Sequence, residues 1–142
     1  MTDKEKRQEI RIWLKFWQQK LNLINWQIIP KWKNHLHSKN RKFVAETINT
    51  NVYYRTVKVN FYLPAITQDV EKNIYQYTLH EIVHVLFSDY DWIIENFSVD
   101  CPNELYVKTR ENMVENLTSI ILKLMKLTNN KEVKKLRNSM EI

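Results

Sequence analysis

Tyr75-Gln76-Tyr77-Thr78-Leu79-His80-Glu81-Ile82-Val83-His84-Val85-Leu86 is the stretch on which both fold and chemistry turn. Tyr75, Leu79, Ile82, Val83 and Leu86 recur at spacings of three and four, the pattern of a helix with one apolar face. A helix is expected over residues 69–87, with Thr67 or Asp69 as its cap. Residues four apart on a helix project from the same face one turn apart, so His80 and His84 stand together on the flank of the stripe. Two imidazole nitrogens so placed reach one metal ion at about 2.0–2.1 Å. Glu81 points about 100° round the axis from His80, toward a water on the open side of such an ion. Zn²⁺ lowers the pKa of a bound water to about 7 and polarises a carbonyl. Glu81 is then the group that takes the water's proton and hands it to a leaving amine.

Upstream, residues 53–63 alternate cleanly. Val57, Val59, Phe61 and Leu63 share one face, and Thr56, Lys58, Asn60 and Tyr62 share the other. Pro64 stops that strand. Residues 43–48 form a second strand, with a turn at Asn49-Thr50-Asn51, where Asn tolerates positive φ without glycine. Residues 26–32 form a short strand placing Trp26, Ile28 and Trp32 on one face. Pro30 cannot donate to a ladder and makes it an edge strand. The basic stretch 33–42, with His35 and His37, is read as a solvated loop. Residues 3–23 form a helix with an apolar stripe of Ile10, Trp13, Leu14, Trp17 and Leu21.

Downstream, residues 88–102 are read as an Asp-rich connector with a short turn at 92–96. Pro102 suits the first turn of a last helix running to residue 127. The core face of that helix is Met113, Val114, Leu117, Ile120, Ile121 and Leu124. The Lys- and Asn-rich residues 128–142 are expected to be a flexible basic tail. Cys101 reads as a passive thiol. The order predicts an α+β fold: a three- or four-stranded mixed sheet packed by an N-terminal helix, the H-E-x-x-H helix and a C-terminal glutamate-bearing helix, as one domain over 1–127.

Composition narrows the chemistry. The 142 residues suit one domain, and 44% are apolar and 27% charged, which excludes a disordered chain. There is no glycine, so phosphate-cradling glycine loops and the G-x-S-x-G elbow are excluded. One cysteine excludes a disulfide framework. No apolar run is long enough to span a membrane and no secretory leader is evident, so a cytoplasmic protein without a membrane partner is expected. The net charge of +6 is interleaved with acids, which argues against nucleic acid as the main partner. Oligomeric state is not legible.

A catalytic zinc site takes three protein ligands and one open position. No histidine follows His84, and the position six residues on is Tyr90. The third ligand is therefore expected to be a carboxylate of the last helix: Glu104, Glu111 or Glu115. Here the sequence resembles a known family. His80-Glu81-Ile82-Val83-His84, followed by Glu111-Asn112-Met113-Val114-Glu115-Asn116-Leu117, is similar to the gluzincin metallopeptidases. It is especially similar to the minigluzincins and the short metallopeptidases common in phages and prophages. The resemblance spans residues 20–122, including Asn25-Trp26-Gln27-Ile28 and the alternating strand.

The resemblance implies Glu111 as third ligand of one zinc per chain, and Glu115 as a carboxylate that orients a metal-bound imidazole. It implies hydrolysis of a peptide or protein substrate. It also implies that the strand before the metal helix offers its edge to the substrate backbone, with Asn60 or Tyr62 toward the cleft. Larger gluzincins add a downstream His or Tyr that stabilises the oxyanion; here Tyr77, Tyr90, Tyr106 and Arg110 are the candidates. Loss of one such donor costs about 10²–10³ in rate, so low or latent activity is consistent with this chain. The alternative expectation is a catalytically weak or inactive zincin-like module that binds a partner protein or nucleic acid through its basic surface.

Overall fold

The computed structural model describes residues 1–97, 103–125 and 131–140. Helix α1 (Asp3–Lys20) begins with a reciprocal cap. The Thr2 hydroxyl accepts the Glu5 N–H at 3.2 Å, and the Glu5 carboxylate accepts the Thr2 N–H at 2.6 Å. Ile10, Trp13, Leu14 and Trp17 are buried as the stripe requires, and Ile12 and Phe16 are buried with them. The extra buried positions arise because α1 is covered by strand β1 and by helices α3 and α6. It ends near Asn22, whose φ of 56° supplies the left-handed residue that a glycine would usually provide.

Strands β1 (Gln27–Lys33), β2 (Ala45–Asn51) and β3 (Thr56–Tyr62) form a mixed sheet in the order β1-β3-β2. β1 runs parallel and β2 antiparallel to β3. Pro30 lies on an edge strand, where its missing N–H costs no ladder bond. The expected turn at 49–51 instead belongs to β2. Asn49 does take a positive φ of 48°, but this falls at a register irregularity between Ile48 and Asn51. The chain reverses at residues 52–55, through Arg55 at φ 52°.

The expected single helix over 69–87 is two helices, α2 (Gln68–Glu71) and α3 (Ile74–Leu86). The break falls at Asn73, whose amide donates to the Asp69 carbonyl; an Asn side chain competes for backbone partners and weakens a helix interior. Leu79, Ile82 and Val83 are buried as expected, whereas Leu86 is exposed. The expected connector over 88–102 contains helix α4 (Ser88–Phe97). Asp89 and Asp91 in its first turn complement the helix dipole, and the Ser88 hydroxyl donates to the His84 carbonyl.

Helix α5 (Asn103–Leu124) buries Val114 and Thr118 and half-buries Leu117 and Ile121. Met113, Ile120 and Leu124 face solvent, contrary to expectation. The main partner of α5 among the described elements is α3, so the residues turned away from α3 remain exposed. The expected flexible tail is also corrected over residues 131–140, which form helix α6 (Lys131–Met140) packed on α1. Val133 is buried there, Arg137 bonds Glu9 at 2.6 Å and Lys20 bonds Glu132 at 2.8 Å. Of the basic residues of this segment, Arg137 is half-buried, whereas Lys131, Lys134 and Lys135 are exposed. Cys101, Pro102 and residues 126–130 and 141–142 lie outside the described residues.

The described residues form an α+β arrangement of six helices and a three-stranded mixed sheet around one apolar cluster. No helix among them is long and apolar enough to cross a membrane.

Candidate metal centre

α3 presents His80 and His84 with ring centroids 5.0 Å apart. α5 crosses this face and brings Glu111 to both. His80 Nε2 lies 3.6 Å from Glu111 Oε2, and His84 Nε2 lies 3.3 Å from Glu111 Oε1. One ligand atom from each of the three residues falls within 4.8 Å of the others. Bonds of about 2.0–2.1 Å in a tetrahedron put neighbouring ligand atoms roughly 3.3 Å apart, so these separations fit one ion held by two imidazoles and a carboxylate. His80, His84 and Glu111 thus form a triad able to hold a metal. Glu115 stands one turn further along α5, exposed and outside the triad, though its charge still acts on His80. Glu104 is exposed near the start of α5.

The electrostatics are those of a negative pocket around two imidazoles. Hydrogen bonds from His80 and then His84 hold the Glu111 carboxyl well below the usual carboxylate range. Burial works against charge on His80, but the Glu111 bond and the charges of Glu81, Glu111 and Glu115 outweigh it and raise its pKa. Glu81 is 4% exposed. Burial pushes its pKa up, against the pull of the neighbouring histidines and of Thr47. The Thr47 hydroxyl, reaching across from β2, donates to Glu81 Oε2 at 2.6 Å. This contact orients the carboxylate and ties α3 to the sheet edge.

Two cavities meet at the triad. The larger, about 470 Å³, runs along β2 from Ala45 to Thr50 and reaches Asp91, Trp92, Glu95 and Arg110 on α4 and α5. The second, about 460 Å³, is lined by Phe43, Tyr77, Glu115 and Thr118. His80, Glu81 and Glu111 line both.

No protein-family model, curated protein or solved structure matches the chain.

The structure moves part of the expected site elsewhere. β3 is hydrogen-bonded on both sides, so its edge cannot receive a peptide; the open edge beside the triad is β2. Thr47 and Val59 are paired on the face that meets α3, so the alternate residues Glu46, Asn60 and Tyr62 point to the opposite face. There Tyr62 donates to Glu46 Oε1 at 2.6 Å and Asn60 at 3.2 Å. Burial and the Glu46 bond push the Tyr62 hydroxyl up to about 12. Neither Asn60 nor Tyr62 lines the cavities. His37 is not solvated as expected: it lies 3.5 Å from Glu46 and packs edge-on to Tyr62.

Thr47 and Asp91 escaped the sequence reading. Nothing local marks Thr47, because its partner is 34 residues away. Asp91 fell within the stretch read as an Asp-rich connector, with nothing to mark it as a partner of the site.

Proposed function

We propose that the protein is a zinc-dependent peptidase of the gluzincin type. The observation that carries this reading is the convergence of His80, His84 and Glu111 from two helices beside the buried Glu81 and an open strand edge. Two imidazole nitrogens and one carboxylate oxygen are a donor set suited to zinc, and they leave a position free for water. Zinc held there would supply Lewis acidity, lowering the pKa of water to about 7.

The remaining steps belong to the chain's own residues. The exposed edge of β2 pairs with the backbone of an extended substrate. Glu81, oriented by Thr47, accepts a proton from the attacking water and delivers it to the leaving amine nitrogen. Its burial raises its basicity over that of a solvated carboxylate, which suits it to both transfers. The compact site, open between two cavities, favours peptides or flexible segments as substrates over folded proteins.

Elemental mass spectrometry of the purified protein, beside cleavage of a peptide library, tests the reading. About one zinc per chain is expected, lost on His80→Ala or His84→Ala. Glu81→Gln is expected to keep the metal and abolish turnover. Absence of zinc after reconstitution, or cleavage by Glu81→Gln as fast as by the parent, would overturn it.

A further inference from the structure

We propose that Arg110 is the catalytic residue that stabilises negative charge on the carbonyl oxygen of the scissile peptide bond, an inference that rests on the peptidase reading. Hydrolysis moves electrons in a definite way. Water oxygen bonds the carbonyl carbon, Glu81 takes the water's proton, and the C=O π pair retreats onto oxygen. The C–N bond then breaks as the pair returns and the nitrogen takes the proton. A donor or cation aimed at that oxygen lowers the barrier.

The described residues leave few groups for this task. Tyr106 donates its hydroxyl to the Asp91 carboxylate, so that proton is committed. Tyr90 is 67% exposed and lines neither cavity. Tyr77 lies in the second cavity, away from the stretch of the β2 edge running from Glu46 to Thr50. Arg110 is the one Lys or Arg lining the larger cavity, the cavity that follows that edge. Its guanidinium is within 4.0 Å of Glu111 Oε1, itself part of the triad.

Arg110 is also held in place. Asp91 Oδ2 lies 3.5 Å from Nη1, and the guanidinium sits 5.7 Å from the Tyr106 ring centre. Since Tyr106 bonds the other Asp91 oxygen, α4 and α5 together fix the cation before any substrate arrives. A preorganised charge needs little reorganisation as the reaction proceeds, which is what distinguishes such a group from a mobile surface arginine. Asp91 and Glu111 share its field, so the expected effect lies at the low end of the range for an oxyanion donor, about 10² in kcat.

The test compares parent, Arg110→Gln and Arg110→Lys in three measurements: zinc content, kcat and KM on a cleaved peptide, and calorimetric affinity for two inhibitors. One inhibitor is a peptide phosphonate, whose tetrahedral anion resembles the charged carbon centre. The other is a peptide thiol, which lacks that centre. Arg110→Gln is expected to keep its zinc, lose about 100-fold in kcat and in phosphonate affinity, and bind the thiol as the parent does. Arg110→Lys, which keeps the charge without the fork, should recover part of the loss and guards against a misfolded Gln variant.

Equal weakening of both inhibitors, or of neither, would overturn the proposal. So would a loss confined to KM for peptides with a free C-terminal carboxylate, which would make Arg110 a carboxylate anchor. Loss of zinc from the variants would make it a support for Glu111 and overturn it too. A parent that takes up no zinc defeats the peptidase reading itself; a zinc-loaded parent with unresponsive variants defeats only the role of Arg110.

Discussion

Removing the metal should lower the melting temperature by a predictable amount. The triad joins α3 to α5, so an ion held by His80, His84 and Glu111 binds the folded chain and not the unfolded one. At 100 to 1,000 times its dissociation constant, such a ligand stabilises by about 2.7–4.1 kcal/mol. For a chain of 142 residues, 1 kcal/mol moves the midpoint by roughly 3–5 °C. Excess zinc should therefore raise the midpoint by roughly 8–20 °C over the value in chelator. The competing contribution is the contact of Glu111 with the two histidines at 3.3 and 3.6 Å. The Glu111 side chain is 41% exposed, and ion pairs of that exposure are worth about 0.2–1 kcal/mol. The metal contribution dominates. Glu111→Ala should thus melt within a few degrees of the parent in chelator and lose nearly all of the zinc-dependent rise. Glu115→Ala should keep that rise, because Glu115 lies outside the triad. Thermal melts followed by circular dichroism, with and without zinc, decide it. Identical parent midpoints in chelator and zinc would refute the reasoning, and a rise lost with Glu115 but kept without Glu111 would refute the ligand set.

Other outcomes follow from single contacts. Val133→Ala removes buried methyl groups between α6 and α1 and should cost about 1.5–2.5 kcal/mol in urea unfolding, where a free tail would show no change. Thr47→Val leaves the buried Glu81 oxygen without its donor and should cost about 1–3 kcal/mol, while Thr47→Ser should restore most of it; equal stability of the two variants would remove Thr47 from the site. Glu46 is lowered despite the opposing cost of burial, because bonds from Tyr62 and Asn60 favour its charged form. Its stabilising contribution is present above the unfolded value of about 4.3 and disappears as pH falls through the lower folded value. Glu46→Gln should therefore be less stable than the parent at pH 7, and the difference should shrink by pH 3 in urea titrations. A constant difference across that range would show that the Glu46 charge carries none of it.

Helix α3 and its histidine pair were legible because two signals coincide there. The apolar positions 79, 82 and 83 set the helix face, and the same period places His80 and His84 beside it. The alternation of Val57, Val59 and Phe61 likewise marked β3 as a strand with one buried face. Its place in the sheet was not legible, because strand order depends on which edges meet in space. The expected open edge therefore fell on β3, whereas the edge strand beside the triad is β2, and Asn60 and Tyr62 were expected at a cleft they do not line. Helices α4 and α6 were missed for a common reason: the contacts that hold them are to residues distant in the sequence. α4 is held by Arg55 on Asp89 and by Tyr53 against Trp92, and α6 by Val133 and the Arg137–Glu9 pair. Such contacts exist only after the chain has folded, and no window of sequence contains both partners. Arg110 shows the same limit at the site. Its position beside Glu111 was visible, but its role depends on Asp91 and Tyr106, which fix the guanidinium only because α4 and α5 lie side by side. His80 and His84 are brought together by spacing along one helix, whereas Glu111 and Arg110 reach that face only through packing between α3, α4 and α5. Under the proposed peptidase reading, a sequence with no histidine after His84 still places a cation beside the triad, and the phosphonate measurement on Arg110 tests that proposal at one side chain.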